Sequence, residues 1–170
     1  IFHTLRTRGD MEFDDISRVV PWIEHAVILG IDLEAPQKAE PRGFKSHLRY
    51  DLIPKGARYI VALREPKDAL VSMYRFLEGW TFEPGAISIS EYAPVWIQGV
   101  LGADIWSHLL SWWDQRNNPD VLLLTYEHMN ADPETAIRKV AAFCGVPLDD
   151  ELLALTLERS SIGFMLAHKD

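Results

Sequence analysis

Two short stretches of this sequence carry side chains whose types and spacing could do chemistry. In the first, Arg64 follows the apolar run Tyr59–Leu63, and Pro66 stands two residues later, at a helix start. A guanidinium at a strand end, beside the donor-rich N-terminus of a helix, suits a phosphate group. Ser72 lies early in the same helix and adds a neutral hydroxyl donor. Arg is the residue for such a clamp because its planar, permanently charged fork can hold two oxygens at once. The competing account is a structural ion pair of Arg64 with Glu65 or Asp68, and local chemistry leaves both open. The second stretch is Lys45-Ser46-His47. A neutral imidazole near pH 7 can take the proton of an attacking hydroxyl. An ammonium beside it can stabilise negative charge that develops during the reaction. A histidine taken alone is more often a surface or satisfied core residue.

Both stretches need elements that hold them. Tyr59–Leu63 and Val121–Thr125 are short, continuous apolar runs, which read as buried parallel strands. Helices are expected from Pro66 to Trp80, over about 89–100 after the Ser88-x-x-Glu91 capping box, and after Asp104 through Trp113. Further helices are expected from Asp132-Pro133 to Gly145 and from Asp149 to about Arg159, the last of the chain. Residues 13–29 also read as helical, with Asp14 or Asp15 as cap and Pro21 breaking the run, and residues 35–43 read as loop. Gly43–His47 is expected to be a strand end. Strands that alternate with helices indicate an α/β fold with a mostly parallel sheet flanked by helices. In such sheets ligands bind beyond the carboxyl ends of the strands, where Arg64 and Tyr126 stand.

Composition narrows the function classes. The chain has 170 residues with 48% hydrophobic and 25% charged, which suits one globular domain. No apolar run is long enough for a membrane span and no leader is visible. The single cysteine, Cys144, excludes an internal disulfide framework and suggests the cytosol. The formal net charge of −8 argues against a nucleic-acid partner. Yet residues 42–75 hold eight bases against three acids, a local +5 within an acidic chain. That contrast suits one anionic ligand, although a solvated basic face would look the same.

The string Arg64-Glu65-Pro66-Lys67-Asp68-Ala69-Leu70-Val71-Ser72 resembles the 3′-phosphate-binding motif of the sulfotransferases that use 3′-phosphoadenosine 5′-phosphosulfate (PAPS). Arg64, Pro66, Asp68 and Ser72 all match the family pattern. Three other segments resemble family motifs in the same order. Lys45-Ser46-His47 is similar to the Lys-Thr-His segment that carries the base. Thr125-Tyr126-Glu127-His128-Met129 is similar to a segment whose Tyr lies by the adenine. Ser160-Ser161-Ile162 with Met165 is similar to one that holds the nucleotide. Phe76 stands at a position that lines the acceptor pocket in the family, though a core Phe is the plainer reading. Trp106, Trp112 and Trp113 read as core.

The resemblance implies an α/β three-layer sandwich and a PAPS-dependent sulfotransferase, with adenosine 3′,5′-bisphosphate (PAP) as product and no metal. His47 would be the base and Lys45 a charge stabiliser. Arg64, Ser72, Tyr126, Ser160 and Ser161 would bind the nucleotide, and the acceptor would be a small alcohol, phenol or amine. Residues 1–170 would form a single domain of this kind. Ile162 replaces the usual Phe and Leu166 stands where Lys is frequent. Neither the family's N-terminal phosphosulfate loop, Pro-Lys-Ser-Gly-Thr-Thr-Trp, nor its late Arg-Lys-Gly segment occurs in the sequence. The alternative expectation is therefore a non-catalytic adenine-nucleotide-binding module. A P-loop kinase ranks last, because no Gly-x-x-x-x-Gly-Lys-Ser/Thr loop is present.

Overall fold

The computed structural model of the protein describes residues 1–99 and 104–168. They fall into two compact units, Ile1–His47 with Ala131–Asp170, and Leu48–Asn130.

The second unit carries the strands. β1 (Tyr59–Leu63) and β2 (Val121–Thr125) pair in parallel, with Tyr59 opposite Val121 and Leu63 opposite Thr125. Their carboxyl ends therefore lie side by side. Val61, Val121 and Trp112 are buried together, with Tyr50, Ile53, Tyr59, Leu63 and Leu123 packed around them. The Trp112 indole N–H donates to the Leu48 carbonyl at 3.2 Å, so this large ring is buried without an orphaned donor. The expectation of a strand buried on both faces is corrected. Successive side chains point to opposite faces, and Ile60 and Ala62 are exposed while Val61 is buried. The tryptophan expectation is corrected likewise: Trp112 is core, whereas Trp106 and Trp113 are about half exposed.

Three helices join the strands. α3 (Pro66–Trp80) begins with Pro66 in the first turn and Glu65 as cap. α4 (Ile89–Gln98) opens with the full capping box of Ser88 and Glu91. The expected extension to residue 100 lies outside the described residues. α5 (Ile105–Trp113) is capped by Asp104. A six-residue helix, α6 (Tyr126–Ala131), follows β2 directly and was not read from the sequence.

The first unit contains α1 (Phe2–Thr7), α2 (Ile16–Val19), α7 (Pro133–Cys144), α8 (Asp150–Arg159) and α9 (Ile162–Ala167). α1 packs on α7 and α8. Leu5, Ile137, Leu152 and Thr156 are fully buried, and the Thr156 hydroxyl donates to the Leu152 carbonyl at 2.7 Å. Gly145 ends α7 with φ of 70°, a left-handed cap that favours glycine. The helical reading of 13–29, broken at Pro21, holds only in part. α2 is four residues long, capped by Asp15, and its continuation fails at Pro21, which has no N–H and disfavours helical Val20. A 3-10 turn at Ile23–His25 replaces the rest. α8 is not the last helix, because Ser161 caps α9.

Candidate functional site

The Lys45–His47 segment is fixed through the turn that the sequence reading missed. Gly43 leads into it, and a Cβ there would stand 2.1 Å from the Phe2 ring, which would have to move aside. Gly43 donates its N–H to the Gln37 side chain at 2.8 Å and receives the Gln37 amide at 3.0 Å. Arg6, buried on α1, donates to Gln37 and to the carbonyls of Ala39, Pro41 and Val19. These bonds tie the 37–43 loop to the unit's core. Lys45 then forms an isolated parallel bridge with Trp22. Its N–H donates to Pro21 O at 2.8 Å, and its carbonyl receives the Ile23 N–H at 2.9 Å.

Three aromatic or cationic groups surround His47. Its ring meets Trp22 edge-on at 4.9 Å between centroids, and His25 packs on Trp22 at 3.7 Å. The Lys45 ammonium sits 4.0 Å from the centre of the Trp22 ring, a cation–π contact. Lys45 and His47 are both exposed as residues, so a substrate can reach them. The His47 imidazole is nonetheless shielded by its neighbours. This burial lowers its pKa from the ordinary 6.5, Lys45 and His25 lower it further, and Glu24 opposes them. The sign favours a neutral imidazole near pH 7, the form that can accept a proton.

In the other unit, Arg64 stands at the end of β1. Its guanidinium lies 4.3 Å above the Tyr126 ring, at the start of α6. The parallel register explains this: Leu63 is opposite Thr125, so the next residue of each strand meets its counterpart. The ion pair with Glu65 or Asp68, left open by the sequence, is not among the described ion pairs. The Arg64 Nε is buried and has no hydrogen-bond partner among the described residues. A buried unpaired donor is unfavourable until an acceptor arrives. Glu127 accepts the Glu65 N–H at 2.9 Å, which holds its carboxyl below the usual range, with Arg64 adding to the shift. One donor at the start of α3 is already used, since Glu65 accepts the Asp68 N–H at 3.0 Å.

The remaining residues divide. Ser72 is exposed on α3. Phe76, read as core, is 57% exposed and stacks on Trp80 at 5.8 Å. Ser161 spends its oxygen on the Phe164 N–H at 3.1 Å, as cap of α9. The Ser160 hydroxyl is buried without a partner among the described residues, so it is the more available of the two. Sequence reasoning missed Trp22, Glu24 and Glu127. The signal for the first two was an acidic and an aromatic residue just past Pro21, where the helix could not continue. Among the described residues no cluster of three or more His, Cys, Asp or Glu could hold a metal ion, and no helix is long and apolar enough to cross a membrane.

Comparison with known proteins gives a consistent result. A family model described as sulfotransferase domain matches residues 3–169. The chain is 35% identical over 156 residues to sulfotransferase 2A1 of Homo sapiens, covering 88% of this chain and 53% of that protein. It is 34% identical over 151 residues to the 3-alpha-hydroxysteroid sulfotransferase of Cavia porcellus, covering 85% of this chain and 52% of that one. A solved mouse sulfotransferase complexed with PAP aligns with a TM-score of 0.66 at 28% identity, over 73% of this chain and 47% of that one. A retinol dehydratase in complex with retinol and PAP aligns at 0.70 and 20% identity, over 94% and 55%, a likeness of fold. The α/β three-layer sandwich with a parallel sheet is thus shared with solved structures. The chain spans about half the length of the curated relatives it matches.

Proposed function

The chain belongs to the sulfotransferase domain family, and on that premise we propose that the protein moves a sulfonyl group from PAPS to a hydroxyl or amine of a small acceptor. The observation that carries this reading is the Lys45–His47 segment: a reachable imidazole, kept neutral by its surroundings, with an ammonium beside it. We read residues 1–170 as belonging to one sulfotransferase-like domain. The single cysteine supports a reducing, cytosolic compartment.

The residues present fit the nucleotide. Among the described residues, the buried Arg64 Nε–H in one unit and the buried Ser160 hydroxyl in the other have no partner, and each by itself suits a polar ligand atom. When bound, PAPS supplies the sulfonyl group and leaves as adenosine 3′,5′-bisphosphate. Arg64 clamps the 3′-phosphate through its fork, with Ser72 as a neutral donor. Tyr126 holds the guanidinium plane and lies by the adenine, and Ser160 and Ser161 contribute hydroxyls on the nucleotide. His47 takes the proton of the acceptor hydroxyl on a ring nitrogen as the oxygen attacks sulfur. Lys45 leaves its place over Trp22 to meet negative charge on the sulfonyl or phosphate oxygens. Phe76, exposed on α3, offers an apolar wall to the acceptor. The hydroxysteroid sulfotransferase among the relatives supports an alcohol as acceptor.

Calorimetry of the intact protein with adenosine 3′,5′-bisphosphate, beside an assay of acceptor sulfonation from PAPS, tests this reading. Binding together with His47-dependent turnover supports it. Binding without turnover would make the protein a nucleotide-binding module, and no binding by the folded protein would remove both readings.

A further inference from the structure

Glu24 takes no part in the motifs above, yet its carboxylate is built into the segment that carries His47. One oxygen, Oε1, receives two donors: the His47 backbone N–H at 2.5 Å and the Ser46 hydroxyl at 3.0 Å. The other oxygen, Oε2, is buried with no partner among the described residues. A carboxylate in that condition would ordinarily be driven to water. It is kept in place because its own backbone is locked. Glu24 lies on the 3-10 turn Ile23–His25, and the Ile23 N–H and Pro21 carbonyl bond Lys45 on both sides. The two segments are thus stitched by four hydrogen bonds, two of them made by this one oxygen.

We infer that Glu24 is the positioning residue for His47: it holds the backbone that carries the base and places a negative charge beside the imidazole. The inference rests on the reading of His47 as base. The groups that face the His47 ring are Lys45, Glu24 and His25, with the uncharged Trp22. Among the described residues, Lys45 and His25 disfavour a proton on the ring and Glu24 favours it. Removing the charge without the oxygen, and removing both, should therefore act differently. Glu24→Gln keeps an acceptor for the two donors and loses the charge. Its kcat at the pH optimum should stay within about 3-fold of the wild type, since the geometry is kept. Its His47 titration, and with it the acidic limb of kcat/KM, should move to lower pH. Glu24→Ala loses the acceptor as well, so kcat should fall about 10- to 100-fold with KM for both substrates little changed.

The experiment follows the imidazole proton resonances through pH in wild type, Glu24→Gln and Glu24→Ala, with His47→Ala assigning the signal, and measures the pH–rate profile of each. A downward-shifted His47 titration in Glu24→Gln, with kcat loss confined to Glu24→Ala, is the expected result. A His47 titration unchanged in both variants overturns the inference, whatever the rates. If His47→Ala transfers sulfonate as fast as wild type, the reading of His47 as base fails instead, and the titration still decides whether Glu24 governs the ring.

Discussion

The Lys45–His47 segment in one unit and the Arg64 corner in the other, proposed as base and phosphate clamp, are held by opposite means. Lys45–His47 is bonded along its backbone on both sides, to Pro21, Ile23 and Glu24. Arg64 is held by a ring, through its stack on Tyr126, and its Nε has no partner among the described residues. The difference suits the two proposed tasks. A base must point a ring nitrogen in one direction, so its backbone and nearby charges are fixed. A clamp must give its donors to a ligand, so it is best supported by a group that uses none of them. With these proposed roles, each substitution should move either turnover or affinity and spare the other.

The largest effect is expected on the base. His47→Ala should lower kcat about 1,000-fold, within the range for a lost general base, and leave the affinity for adenosine 3′,5′-bisphosphate unchanged. In the wild type the acidic limb of kcat/KM should lie below pH 6.5, because the ring pKa is lowered. The folded state resists protonating His47, so this residue's contribution falls as pH drops below 6.5 toward the folded pKa. Arg64→Ala should weaken the same nucleotide about 100-fold in calorimetry, through loss of charge-assisted hydrogen bonds. If instead it lowered kcat with no change in affinity, the division of tasks would fail. Gly43→Ala meets the Phe2 ring and should cost about 2 kcal/mol in denaturant unfolding. Tyr126→Ala should weaken nucleotide binding about 5-fold by loosening the guanidinium, while Tyr126→Phe, which keeps the ring, should bind nearly as the wild type.

Much of the scaffold is legible in the sequence, for local reasons. Both strands and α3, α4, α5 and α7 carry their own signals: apolar runs, Pro66, the Ser88–Glu91 box, Asp104 and Gly145. The residues of the site are legible only as types in a pattern. Their settings are not, since Trp22, Glu24 and Gln37 act on residues distant in sequence. Reading 13–29 as helical gave Trp22 and Glu24 no role, whereas beyond Pro21 they lie beside the 45–47 segment. Glu127 was hidden for a similar reason: its contact with the Glu65 N–H depends on the β1–β2 register, which no local pattern states. The exposed face of β1 shows the same limit, because a continuous apolar run does not say which side is covered.

The most direct test of the account is transfer of labelled sulfonate. The intact protein is incubated with PAPS labelled at sulfur and with a small alcohol or phenol, and the products are separated. The account predicts label on the acceptor oxygen, with unlabelled adenosine 3′,5′-bisphosphate released in equal amount. Label that remains in the nucleotide while the folded protein binds adenosine 3′,5′-bisphosphate would contradict it.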